Sequence, residues 1–478
     1  MSEGSTLGKQ VVKGIGWSAI ERFSLQLIQF VIQIVMARLL LPSDYGIIGM
    51  LAIFMQLAQV FIDSGFANAL IQKKDCTERD YSTVFYYNLA VSLILYAICF
   101  FIAPYVADFY EIPLIVKVMR IQTIALLINA WAVIPKARLV KNVDFKTQSK
   151  VSLASALISG AAGIYMAAEG FGVWALCCQS LLNSLLQVIF LYINVKWYPT
   201  EAFCKESFSK LFSFGSKILG ASIISVIYNN LYAIVIGRRF SAKELGLYTR
   251  ADQFAVFPSN NLASVISRVA FPVLSRVQDN DSELISIYRK LICYSSFVIF
   301  PLMFGLVAVA RPMVSTILTD KWADVVPILQ IVSFAWMFDH LSQLNLNLLY
   351  VKGRSDLVLK LEVIKKSIAV AVLFASMPFG LVWMCWGRVL YSIIALMINS
   401  YYTSKMISYG YLKQMRDYIP YFAASMVMAV IVYFIIGAVD GSVMQLLSGI
   451  LSGAVIYVLM TMLFFKDLYK EARQFIRR

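Results

Sequence analysis

Long apolar runs, repeated along the whole chain, constrain this sequence more than any other feature. A hydrocarbon core about 30 Å thick takes about 20 apolar residues in helical form. Segment after segment reaches that length, with charge gathered in the breaks between. Backbone polar groups in lipid must be satisfied internally, which leaves helices or a closed barrel. Barrel strands alternate apolar and polar positions, and these runs do not. The chain is read as an all-α polytopic membrane protein. Composition agrees: 60% of the 478 residues are hydrophobic and 14% are charged, with a mean hydropathy of +0.73. Soluble domains carry about a quarter charged residues, so no large soluble domain fits.

Charged, Pro- and Gly-bearing breaks divide the chain into about 14 transmembrane helices. Their approximate limits are 14–38, 45–69, 82–106, 114–135, 150–168, 171–195, 212–237, 246–270, 291–310, 325–350, 358–376, 379–400, 418–438 and 444–465. With the N-terminus inside, 28 Lys and Arg fall on the cytoplasmic side and 8 on the other. Cations resist translocation, so both termini are expected in the cytoplasm. The same rule accounts for the net charge of +15 without invoking nucleic acid. The polar stretch Met1–Lys13 runs directly into a span too long for a signal peptide. The tail Lys466–Arg478 reads as an interfacial helix.

An internal repeat sets the domain organisation. Ala37-Arg38-Leu39-Leu40-Leu41-Pro42-Ser43-Asp44-Tyr45-Gly46 joins the first two spans. Gly237-Arg238-Arg239-Phe240-Ser241-Ala242-Lys243-Glu244-Leu245-Gly246 joins the seventh and eighth. Arg, an acid and Gly recur at the same offsets, and six spans precede the second copy. The expected arrangement is an N-terminal six-helix lobe (1–200), a second six-helix lobe (201–410), and two added helices with an amphipathic tail (411–478). Secondary transporters are commonly built from such repeats.

Polar residues inside spans are expensive and normally face protein or water. Here they form stripes at steps of three and four, which keep one helix face. Span one carries Ser18, Arg22, Gln26, Gln29 and Gln33; span two carries Gln56, Gln59 and Asp63. Span seven carries Ser222, Ser225, Asn229 and Tyr232; span eight carries Arg250, Gln253, Asn260 or Asn261, Ser264 and Arg268. Span ten carries Asp339, Gln343 and Asn347, with His340 beside them. Any one of these could serve only as hydrogen-bonding glue between helices. Together they point to a hydrated cavity lined by spans one, two, seven, eight and ten.

The cations Arg22, Arg250, Arg268 and Arg388 suit an anionic ligand such as a pyrophosphate, since a guanidinium offers a bidentate fork. With Gln26, Gln29, Asn229 and Gln253 they form the expected substrate-binding set. Lys365 and Lys366 read first as side chains snorkelling to the surface. Asp339, His340 and Asp63 are the candidates for ion coupling. Asp63, late in its span, reads first as a helix-terminal carboxylate bonded to neighbouring backbone or to Lys73. For Asp339 and His340 a coupling role and a structural role stand side by side.

Absences narrow the chemistry. The sequence holds no GxxxxGK[ST] loop for ATP, no HExxH, one His, and seven cysteines without a CxxC pair. No cofactor, metal site, disulfide framework or catalytic residue is expected, and the chain is not read as an enzyme. A membrane polymerase or glycosyltransferase would need a large outer loop or a donor-binding domain, for which the chain has no space.

Three stretches carry a resemblance. Asp63-Ser64-Gly65-Phe66-Ala67-Asn68-Ala69-Leu70-Ile71-Gln72 is similar to the end of the second helix in bacterial polysaccharide-unit flippases of the multidrug/oligosaccharidyl-lipid/polysaccharide exporter superfamily. Gly246-Leu247-Tyr248-Thr249-Arg250-Ala251, with Arg268-Val269-Ala270-Phe271-Pro272-Val273-Leu274-Ser275, resembles their eighth helix. Lys321-Trp322 followed by Val326-Pro327-Ile328-Leu329-Gln330 resembles the entry to their tenth. The likeness spans nearly the whole chain and is strongest to the colanic-acid exporter branch. It implies two six-helix lobes rocking in alternating access, and an undecaprenyl-pyrophosphate-linked oligosaccharide as cargo in the bacterial inner membrane. It also implies membrane lipids and pathway enzymes, a polymerase and glycosyltransferases, as partners. The alternative is a drug or metabolite/cation antiporter of the same superfamily, in which acids should dominate the cavity.

Overall fold

A computed structural model of the chain describes residues 25–465 apart from Ser64 and Lys74. The start of the first span, with Ser18 and Arg22, and the tail Lys466–Arg478 lie outside the described residues. Among the described residues every regular element is helical. Within the described residues, each span expected from the sequence falls on a helix or on a pair of helices in series.

Two compact units divide the chain, Met1–Gly246 and Leu247–Arg478. The first holds α1 (Leu25–Leu39), α2 (Pro42–Asp63), α3 (Phe66–Gln72), α4 (Glu78–Tyr110), α5 (Leu114–Gln122), α6 (Ile124–Lys141), α7 (Phe145–Ala168), α8 (Val173–Val195), α9 (Lys205–Arg239) and the first turn of α10 (Ala242–Arg276). The second holds the rest of α10, then α11 (Asp281–Ala308), α12 (Ala310–Ile317), α13 (Val325–Trp336), α14 (Asp339–Val351), α15 (Ser355–Ser376), α16 (Leu381–Ile407), α17 (Tyr411–Gly437) and α18 (Ser442–Phe464).

Among the described residues ten helices or helix pairs are long and apolar enough to cross a membrane, and α1 is a shorter apolar helix. The long helices α9, α10 and α15 fall outside that set among the described residues, and α15 carries Asp356, Lys360, Glu362, Lys365 and Lys366. The chain is a multi-pass membrane protein.

Local chemistry starts the helices. Thr77 caps α4 in a capping box with Asp80, and Asp80 also takes the Lys73 ammonium at 2.6 Å. The repeated acid accepts a hydrogen bond from the residue three before it in both copies, from a backbone N–H in the first and a side-chain hydroxyl in the second. Asp44 Oδ2 accepts from the backbone N–H of Leu41 at 2.9 Å. The Glu244 N–H donates to Ser241 Oγ at 3.1 Å, and the Ser241 hydroxyl donates to the Glu244 carboxylate at 3.0 Å. An acid three residues past the cap satisfies orphan donors and complements the helix dipole.

The repeated glycines allow a close crossing. A Cβ built on Gly46 would sit 1.7 Å from the Ala242 carbonyl oxygen, and one on Gly246 would sit 1.8 Å from the Pro42 carbonyl oxygen. Only glycine lets two helix backbones approach in this way.

The second unit has a large aromatic core in which Tyr288, Phe300, Met303 and Phe304 of α11 meet Tyr418, Tyr421 and Met428 of α17. The first unit is held by smaller clusters, such as Phe66 with Tyr81, Phe85 and Trp197. Large apolar side chains on α17 and α18, among them Tyr433, Phe434, Leu463 and Phe464, are exposed. On a membrane protein such faces are covered by lipid.

Candidate functional site

Two polar assemblies stand out, one in each unit. In the second unit the tenth span is broken: α13 ends at Trp336 and α14 begins at Asp339. Trp336 Nε1 donates to Asp252 Oδ1 at 2.7 Å. Arg388 Nη1 donates to the same oxygen at 2.7 Å and to the Tyr248 hydroxyl at 2.6 Å. Tyr248 and Asp252 are one turn apart on α10, so they present their oxygens side by side. The guanidinium carbon of Arg388 lies 4.8 Å from the Trp336 ring centroid, a cation–π distance.

The break also places a carboxylate. Asp339 occupies the first turn of α14, where the helix dipole favours negative charge. It lies within electrostatic range of Lys365 and Arg388. Lys365 in turn donates to Glu362 Oε1 at 2.5 Å. Asp252, Arg388, Asp339, Lys365 and Glu362 thus form a network of alternating sign drawn from α10, α14, α15 and α16. Broken membrane helices are a recurrent setting for substrate and ion sites.

The expectation that Lys365 snorkels to the surface is corrected, since it is 6% exposed and ion-paired. Burying an ammonium is tolerable only with its counter-charge beside it. Arg388 and Lys365 each have a carboxylate partner.

His340 goes elsewhere. It is 1% exposed, its Nε2 is 3.3 Å from Ser296 Oγ, and its ring meets the edge of Phe300 in the aromatic core. Successive helical residues point about 100° apart, and that rotation separates it from the charge network around Asp339.

The α10 arginines have unlike surroundings. Arg250 is 4% exposed, donates to Gln253 Oε1 at 2.8 Å, and sits 5.7 Å from the Trp322 ring centroid. Arg268 is exposed, about 27 Å further along at 1.5 Å per residue.

In the first unit a cavity of about 580 Å³ is lined by side chains of α2, α6, α8 and α9. Asp63 lies on its wall and accepts from Gln59 Nε2 at 3.1 Å. Lys73, its expected partner, instead pairs with Asp80. Lys136 lines the same cavity within electrostatic range of Asp63, and its ammonium donates to Gln187 Oε1 at 2.8 Å. Asn129 and Asn183 complete a wall rich in carboxamides.

Lys136, Asn129, Asn183 and Gln187 line the cavity without being among the expected site residues. The signal was present. Asn183 and Gln187 are four residues apart, and Asn129 and Lys136 are two turns apart, so each pair shares a helix face.

Of the remaining expected residues, Gln26 is half-buried and Gln29 exposed on α1, and Arg22 lies outside the described residues. Asn229 is exposed and donates to Ser225 Oγ at 3.4 Å. Its neighbour Asn230 is the buried one, and donates to Gln56 Oε1 at 2.9 Å. Among the described residues, no three His, Cys, Asp or Glu side chains gather to hold a metal ion.

Comparison with known proteins adds a frame. A family model described as "Polysaccharide biosynthesis protein" matches residues 35–327. The chain is 26% identical to the teichuronic acid biosynthesis protein TuaB of Bacillus subtilis, over 90% of this chain and 89% of that one. It is 24% identical to the lipopolysaccharide biosynthesis protein WzxC of Escherichia coli, over 84% and 82%. The solved lipid II flippase MurJ, in an inward closed conformation, superposes with a TM-score of 0.76 at 15% identity, covering 95% of this chain and 99% of that one. That likeness concerns the fold.

Proposed function

The chain belongs to the polysaccharide biosynthesis protein family, and from that premise we propose that it is a flippase for lipid-linked oligosaccharide units. The unit is carried from the cytoplasmic to the outer leaflet of the bacterial inner membrane, as an undecaprenyl-pyrophosphate conjugate, for surface polysaccharide biosynthesis. One observation carries the reading: the family match runs through the helices that bear the first-unit cavity and the Tyr248–Asp252 end of the charge network.

The physical task is to pass sugars and a charged headgroup through a polar interior while the prenyl tail stays in lipid. Carboxamides and Tyr or Trp side chains offer hydrogen bonds and stacking faces to sugars. Arg250, Arg268 and Arg388 offer positive charge to the pyrophosphate, with Gln253 beside Arg250 and with Arg22, Gln26, Gln29 and Asn229 as the N-terminal contribution. The transporter would have fourteen spans with both termini cytoplasmic. Two six-helix lobes (1–200 and 201–410) alternate access, and two further helices (411–478) flank them. With no nucleotide motif in the sequence, energy comes from an ion gradient, the membrane potential or removal of product outside. Asp339, Asp63 and His340 are the candidate coupling groups. A polymerase and glycosyltransferases of the same pathway are the expected partners.

Deletion of the gene in its host tests the reading. Lipid-linked units should accumulate on the cytoplasmic side while surface polymer is lost. Unchanged surface polymer with no accumulation would overturn it.

A further inference from the structure

We propose that the first-unit cavity between α2, α6, α8 and α9 is a subsite for uncharged sugar residues of the transported unit. The proposal rests on the flippase reading and deepens it by naming what this cavity takes.

Size comes first. A volume of about 580 Å³ lies within the range of about 300–1,000 Å³ typical of small-molecule sites. That is room for a short saccharide and far too little for a prenyl chain. The wall chemistry comes second. Gln59, Asn129, Asn183 and Gln187 each present a carboxamide, a group with both donors and acceptors. Sugar hydroxyls likewise donate and accept, so an array of carboxamides can meet several at once.

Charge decides the class. Among the described residues the cavity wall has one acid and one base, Asp63 and Lys136, within electrostatic range of each other. Each is also tied to a carboxamide: Gln59 donates to Asp63 at 3.1 Å, and Lys136 donates to Gln187 at 2.8 Å. The described lining is therefore neutral in sum and holds its two charges in place. A pyrophosphate or a uronate would need surplus positive charge, which the described residues of this wall do not supply. A hexose asks for dipoles, which it does. Leu219 and Val133 add apolar surface for the C–H faces of a sugar ring.

The full chain in lipid nanodiscs provides the test, with saturation-transfer NMR as the readout. The probes are maltose and lactose as neutral disaccharides, glucuronate as the uronate, and inorganic pyrophosphate. The neutral disaccharides should bind, with signal about fivefold lower or less in Asn183→Leu and Gln187→Leu, which remove hydrogen-bonding partners. Glucuronate should be the weaker ligand of the unaltered protein and should gain in Asp63→Asn, which leaves the Lys136 charge uncompensated. Should the leucine variants fail to fold by thermal unfolding, the Asp63→Asn change of preference decides alone. Equal sugar binding in all variants, preference for glucuronate in the unaltered protein, or displacement of the sugars by pyrophosphate would each overturn the proposal. Failure here with export intact in the host removes the subsite and leaves the flippase reading standing.

Discussion

Gly46 and Gly246 hold the same place in the two copies of the repeat, and each faces the first residue of the other copy's helix. The space is missing by the same amount in both directions: an added Cβ would stand 1.7 Å from Ala242 O or 1.8 Å from Pro42 O. The carbonyls concerned are backbone, so no rotamer change can relieve the clash.

Gly46→Ala and Gly246→Ala should each destabilise the protein by about 1–3 kcal/mol, the usual cost of overpacking. Thermal unfolding in nanodiscs measures it. Gly437→Ala, where nothing lies within 4 Å of the added carbon, serves as the control and should be neutral. Equal melting temperatures for all three would show that the crossing yields easily.

Arg388→Ala and Asp252→Asn should each lower stability by on the order of 2 kcal/mol. That is less than the 3–5 kcal/mol of a fully buried pair, because the two side chains keep 18% and 29% of their exposure. In a double-mutant cycle the pair should cost clearly less than the sum of the single changes, since both report one contact. Strict additivity would show the contact to be energetically idle.

Arg250→Ala and Arg268→Ala should both reduce export of the lipid-linked unit, yet differ in stability. Arg250 is packed beside Trp322 and bonded to Gln253, so its removal should also lower the melting temperature. Arg268 is exposed, and its removal should not. Arg250→Lys should restore export in part, because charge survives and the fork does not. Normal export by both alanine variants would remove these arginines from headgroup binding.

Asp339→Asn should weaken transport driven by a pH or sodium gradient more than it weakens substrate binding, measured in proteoliposomes. His340→Asn should act chiefly on stability, because the ring sits in the aromatic core against Phe300 and Ser296. Transport indifferent to both gradients, in wild type and variant alike, would leave Asp339 a structural role.

The helices were legible because apolar length is written directly in the sequence, and even the broken spans appeared as continuous apolar segments. The breaks themselves were not legible. Nothing in the run Phe334-Ala335-Trp336-Met337-Phe338-Asp339 contains a Gly or Pro to announce that α13 stops and α14 begins. The site was half legible. Spacing identified Arg250 and Gln253, which do bond to each other, and it identified Gln59 with Asp63. Pairings between distant helices, such as Arg388 with Asp252 or Lys136 with Gln187, depend on helix rotation and neighbour choice, which periodicity within one helix does not encode. The choice between Asn229 and Asn230 shows the limit well: two adjacent amides differ only in which face the packing buries.

The buried Lys365–Glu362 pair bears on how the protein is made. α15 carries charges that cost about 2.5–3.5 kcal/mol each at the centre of an isolated inserting helix. The ion pair that offsets two of them forms only once the helix is wound, and the surroundings that bury Lys365 come from neighbouring helices. α16, by contrast, is apolar enough to enter alone, and the three-residue turn Met377–Phe379 ties the two together. α15 should therefore be a passenger during biosynthesis, waiting at the translocon for α16 and entering the bilayer with it as a hairpin. The charge buried in the mature protein makes this part of the chain depend on synthesis order.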